Sequence, residues 1–76
     1  MDKYYRGGAR IGPEIAWNPH IRLSQAEAES DAQRKMSKAG AVLGSVESWD
    51  RALGVTPPTR REQVYRWEVQ RRRPRK

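Results

Sequence analysis

The stretch 39–50, AGAVLGSVESWD, decides the fold, because it continues a helical pattern while carrying glycines at 40 and 44. Upstream, Ser24 opens SQAE (24–27), a capping box in which Ser24 accepts from the backbone and Glu27 reaches back. Glu27, Glu29 and Asp31 follow in the first turns, and Arg34, Lys35 and Lys38 come later, the order a helix dipole favours. Apolar residues then recur at Ala28, Ala32, Met36, Ala39, Leu43, Val46, Trp49 and Leu53, at spacings of 4, 4, 3, 4, 3, 3 and 4. At about 100° per residue they stay within a face roughly 140° wide.

Gly40 and Gly44 each cost about 1 kcal/mol relative to Ala inside a helix. Both fall opposite the apolar face, and the stripe keeps its phase across them. The pattern therefore predicts a mainly α chain with one amphipathic helix over 24–53, or two helices broken near 40–45. A continuous helix would be about 45 Å long at 1.5 Å per residue. Within it, Asp31 with Lys35 and Glu47 with Arg51 form i,i+4 pairs. Gly54 is a natural stop.

Residues 1–23 read as an extended arm. Gly7, Gly8, Gly12, Pro13 and Pro19 break helices, and the glycines are taken as flexible points. Tyr4, Tyr5, Ile11, Ile15, Trp17, Ile21 and Leu23 give this arm more apolar surface than a disordered tail carries. It is expected to lie on a surface, its own or a partner's. Residues 54–59 form a Gly/Pro linker. In 60–76, TRRE (59–62) signals a second helix cap, whereas Tyr65, Trp67 and Val69 alternate with Arg66, Glu68 and Gln70 as a strand would. Helix and strand both remain open for 63–70.

The bulk properties narrow the function. Seventy-six residues, 36% hydrophobic and with mean hydropathy −1.05, make one small domain whose core is barely sufficient. No cysteine is present, so disulfides and thiolate metal sites are excluded, and the single His20 builds neither a zinc site nor a catalytic pair. No dinucleotide or phosphate-loop motif occurs. No enzyme activity, metal or cofactor is expected. The opening MDKYYRGGAR lacks the apolar core of a secretory signal, and no apolar run approaches bilayer length, so a cytoplasmic or particle-borne protein without a membrane contact is expected.

The net charge of +7 is uneven. Residues 60–76 hold eight Lys/Arg against Glu62 and Glu68, while 1–59 hold eight against seven carboxylates. Arg60, Arg61, Arg66, Arg71, Arg72, Arg73, Arg75 and Lys76 are thus the candidate contacts to nucleic acid or an acidic surface. Tyr4, Tyr5, Ile15, Trp17, Met36, Leu43, Val46, Trp49, Leu53, Tyr65 and Trp67 are the candidate docking residues, because so small a chain cannot cover them itself.

Residues 45–55, SVESWDRALGV, and 64–74, VYRWEVQRRRP, together resemble the helix-turn-helix of Cro and phage-repressor proteins. That resemblance implies a first helix over 45–53, a turn at Gly54, and Arg60, Arg61, Gln63 and Arg66 facing a DNA groove. The leading expectation is different: a non-enzymatic assembly component of a large particle, such as a phage or virus head or tail, held against larger subunits. DNA or RNA contact through the basic end would accompany it. A small DNA-binding regulator is the alternative.

Overall fold

The computed structural model describes residues 2–72, so the contacts expected of Arg73, Arg75 and Lys76 lie outside the described residues. The chain runs β1 (Lys3–Ile11), β2 (Glu14–Trp17), α1 (Gln25–Ala39), β3 (Leu43–Asp50) and β4 (Tyr65–Gln70). The strands form one antiparallel sheet in the order β2-β1-β3-β4, with α1 on one face. The expectation of a mainly α chain is overturned, and only the first half of the expected long helix is helical.

The helix begins with the Ser24 half of the capping box, while Glu27 meets the Ser24 hydroxyl rather than its backbone N–H. Ser24 is extended, its hydroxyl accepts from the Glu27 N–H at 3.3 Å, and it donates to the Glu27 carboxylate at 3.0 Å. It ends at Gly40, whose φ of 69° lies in the left-handed region that a glycine enters without strain. The Ala41 N–H closes the end on the Met36 carbonyl at 2.9 Å. Gly40 is therefore a stop signal inside an apolar pattern that runs on past it.

β3 explains the misleading phase. It is a central strand, and six consecutive residues, Gly44 to Trp49, are buried. Successive side chains point to opposite faces. Val46 faces α1, while Glu47 and Trp49 face the other side. With both faces covered, the apolar/polar alternation of a half-buried strand is lost. The Leu43, Val46, Trp49 spacing of three then imitates a helix.

The expected arm is half of the sheet. β1 and β2 join through a two-residue turn in which Gly12 has φ 61°, as a tight hairpin asks of its first central residue. Past Trp17 the chain still follows β1. The Asn18 N–H donates to the Gly7 carbonyl at 2.8 Å, and Tyr5 and Arg22 exchange backbone bonds of 2.8 and 2.7 Å. Arg22 then reaches α1 as a fork on Asp31, at 2.7 and 3.1 Å, and Arg34 adds 2.8 Å on the same carboxylate. These replace the expected Asp31–Lys35 pair.

The core is small. Ala9, Ala28, Ala32, Met36 and Val46 are buried together, with Tyr5, Ala41, Trp67 and Val69 packed against them. Gly7 makes it possible. A Cβ there would collide with the backbone of Ala28 and Ala32, so the missing side chain lets α1 settle onto β1. The reading of Gly7 and Gly8 as flexible points is corrected: both lie within β1, where close packing needs them.

The helix-turn-helix implied by the resemblance is not found among the described residues. Most of its first helix is β3, and its recognition helix is β4. The second capping signal yields only a short 3-10 turn at Arg61–Gln63, with no side-chain cap.

Candidate functional site

The two faces of the sheet differ, and register decides which side chains meet. Val46 and Gly7 pair across β3 and β1, and Val46 and Trp67 across β3 and β4, so Tyr65, Trp67 and Val69 share the face that carries α1. The helix packs chiefly over β1 and β3. The β4 side of that face is left open.

A groove of about 480 Å³ runs there, lined by Lys3, Tyr5, Gln25, Ser48, Tyr65 and Trp67. Tyr65 is 66% exposed, and its ring lies 5.4 Å from that of Trp67. Trp67 and Tyr5 are half-buried, with one edge against the core and the other toward the groove. The site offers aromatic faces, a lysine ammonium and side-chain hydrogen-bonding groups. Groups of these kinds can bind by stacking and hydrogen bonds.

The opposite face carries a row across all four strands. Arg6 of β1, Glu47 of β3 and Arg66 of β4 stand side by side in register. Glu47 is 1% exposed, accepts from Arg66 at 3.0 and 3.2 Å, and bonds the Arg6 Nε on its other oxygen. Trp17 of β2 closes the row, with the Arg6 guanidinium 4.2 Å and the Arg66 guanidinium 5.4 Å from its ring centroid. Gly8 makes room for it, since a Cβ there would come within 3.0 Å of the ring. Glu47 does not pair with Arg51 as expected. Arg51 instead lies over Tyr4, 5.6 Å from its ring, and donates to the Lys3 carbonyl at 3.3 Å.

The remaining expected docking residues divide in two. Met36, Val46 and Trp49 are buried within the chain itself. The Trp49 indole N–H donates to the Gly54 carbonyl at 2.9 Å, and Tyr4 packs 6.1 Å away. Ile15 and Leu43 are half-buried, and Leu53 is exposed in a 3-10 turn after β3. Only Tyr5, Tyr65 and Trp67 converge on the groove. Glu47 and Arg6 were not legible as partners, since 41 residues separate them.

The basic residues divide likewise. Arg60 and Arg61 are exposed in the loop before β4, with Arg60 4.0 Å from Glu62. Arg66 belongs to the Glu47 row. Arg71 and Arg72 are exposed, but their backbone is held: the Arg71 N–H bonds the Val42 carbonyl at 2.9 Å. The Arg72 N–H donates to the Gln33 side chain at 2.8 Å, and that side chain donates to the Gln70 carbonyl at 2.8 Å. The basic segment therefore leaves from a fixed point beside α1.

His20 is exposed, and its backbone N–H is held by Asn18 at 2.9 Å. Among the described residues no group of three His, Cys, Asp or Glu could hold a metal ion, and no helix is long and apolar enough to cross a membrane. No family model, curated protein or solved structure matches this chain.

Proposed function

We propose that the protein is a non-enzymatic component of a larger particle, most naturally a phage or virus head or tail, that docks on a bigger protein subunit through the groove between α1 and β4. The observation that carries this reading is the aromatic strip of Tyr5, Tyr65 and Trp67 that α1 leaves uncovered. Aromatic anchors in a partly formed pocket are what protein interfaces use for most of their binding energy. Their exposure works against the isolated chain, whose core beneath α1 is five small or medium side chains. The producing cell's cytoplasm, or the particle itself, is the setting.

The basic segment adds a second contact. Its anchoring by Val42 and Gln33 favours a peg that presents Arg71 and Arg72 to phosphate or acidic side chains, with affinity independent of base sequence. Gradient sedimentation of the source lysate tests the docking role. The protein is expected in a fast-sedimenting fraction, and a Tyr65→Ser/Trp67→Ser variant in a slow one. A wild-type protein found only at the top of the gradient would overturn the reading.

A further inference from the structure

We infer that the free edge of β4 pairs with the β4 edge of a second copy, in one particular register. Among the described residues no strand lies beyond β4. The Arg71–Val42 bond fixes the phase of the ladder. In the antiparallel pattern, alternate residues turn their backbone to the neighbour. Trp67 and Val69 therefore bond β3, while the N–H and C=O groups of Arg66 and Glu68 point outward.

A closed pair of identical edges must be two-fold symmetric and antiparallel. Pairing outward backbone groups leaves four central registers for this strand, and the one centred on Val69 sets Glu68 against Gln70 with no opposite charge. Centred on Arg66, the pairing sets that arginine against its own copy. Centred on Glu68, it sets two carboxylates together. Centred on Trp67, it places Arg66 opposite Glu68 twice, and each such pair exchanges both backbone bonds. Both side chains lie on the same face and are 52% exposed even with their partners within the chain, Arg66 on Glu47 at 3.0 Å and Glu68 on Arg10 at 3.5 Å, so each keeps an open side for a cross-strand ion pair. On the other face this register sets Trp67 beside Trp67 of the second copy, and Tyr65 beside Val69, the aromatic and β-branched pairs that strengthen sheets.

Edge strands usually carry charge to repel other edges. Here the two charges have opposite sign and stand two residues apart, so the same device becomes self-complementary. The other edge is unsuited. β2 has four residues and stops at the Asn18–Pro19 bend. Tyr65 and Trp67 border both the edge and the groove, but the pairing uses the outward backbone of Arg66 and Glu68, so variants at Glu68 separate the two readings.

Analytical ultracentrifugation of the purified full chain tests the pairing. The expected mass is twice 8.8 kDa at micromolar concentration. Glu68→Pro removes an outward N–H that β3 does not use, and Glu68→Arg sets like charges together. Both are expected to sediment as monomers with unchanged circular dichroism.

The register is read separately, which is clean because the chain has no cysteine. Tyr65→Cys mixed with Val69→Cys should form a disulfide between copies, and neither variant should do so alone. A wild-type monomer at every concentration overturns the inference. So does a dimer that survives both Glu68 substitutions, or one that gives no mixed disulfide. A monomer that still enters the fast-sedimenting fraction would sink the pairing and leave the docking role intact. A dimer that stays at the top of the gradient would do the reverse.

Discussion

The backbone of Ala28 occupies the space that a side chain on Gly7 would need, so the approach of α1 to the sheet is set by one absent methyl group. Gly7→Ala should lift the helix and expose the alanine face beneath it. Overpacking of this kind costs about 1–3 kcal/mol, and sometimes more where the obstacle is backbone. Urea denaturation followed by circular dichroism measures it. Ser30→Ala, at an exposed position on α1, is the control and should be nearly silent.

Glu47 holds two arginines on the face away from α1. Glu47→Gln leaves Arg6 and Arg66 without their shared charge in a site closed by Trp17. Removing one partner of a buried ion pair costs about 3–5 kcal/mol. Arg66 is half-exposed, so water screens part of that loss, and about 1–3 kcal/mol is expected. Trp17 fluorescence should also shift toward that of a solvated indole. An unchanged denaturation midpoint would show that the row is ornamental.

Asp31 should give the fold an acid limit. Burial pushes its carboxyl up, but hydrogen bonds and charge from Arg22 and Arg34 outweigh that and hold it below the ordinary aspartate value. The unfolded chain then binds a proton that the folded chain refuses. Stability from this site is complete above the usual aspartate range, near pH 4, and is lost as pH falls through the lowered value. Arg22 is raised, chiefly by its hydrogen bond to Asp31, so it adds no loss anywhere below the ordinary arginine range. Asp31→Asn should flatten the acid limb in a denaturation series taken between neutral and strongly acid pH. A limb of unchanged steepness would assign it to other carboxylates.

The helix start was legible in the sequence, because the Ser24 hydroxyl caps the nearby Glu27 N–H and needs nothing distant. β4 was half legible, since Tyr65, Trp67 and Val69 alternate on a strand with one side exposed. β3 was not legible, for a physical reason. A central strand covered on both faces loses its alternation, and the i,i+3 spacing of Val46 and Trp49 then imitates a helix while the two point apart. Gly40 carried the correct signal, but a left-handed cap and an unfavourable helix interior use the same residue. Of the candidate site, Tyr65 and Trp67 were visible as a pair. Their convergence with Lys3 and Tyr5 depends on β1 pairing with β3 across more than 40 residues of sequence.

Arg71 and Arg72 should bind polyanions without reading bases. Two unrelated duplexes titrated at two salt concentrations should bind equally, and both should weaken steeply as salt rises. Arg71→Ala/Arg72→Ala should lower affinity uniformly and make the log–log salt slope shallower by roughly 2, at about 0.9 per phosphate contact. A preference for one duplex that survives high salt would contradict the peg.

The most direct test of the docking surface is a photo-crosslinker placed at Tyr65 and, separately, at Ile11, both exposed, the second at the β1–β2 turn away from the groove. In the producing cell, the probe at 65 should join the protein to a larger polypeptide, and the probe at 11 should not. Adducts from 11 alone, or from 65 to a second copy alone, would contradict the groove between α1 and β4 as the place where this protein meets its particle.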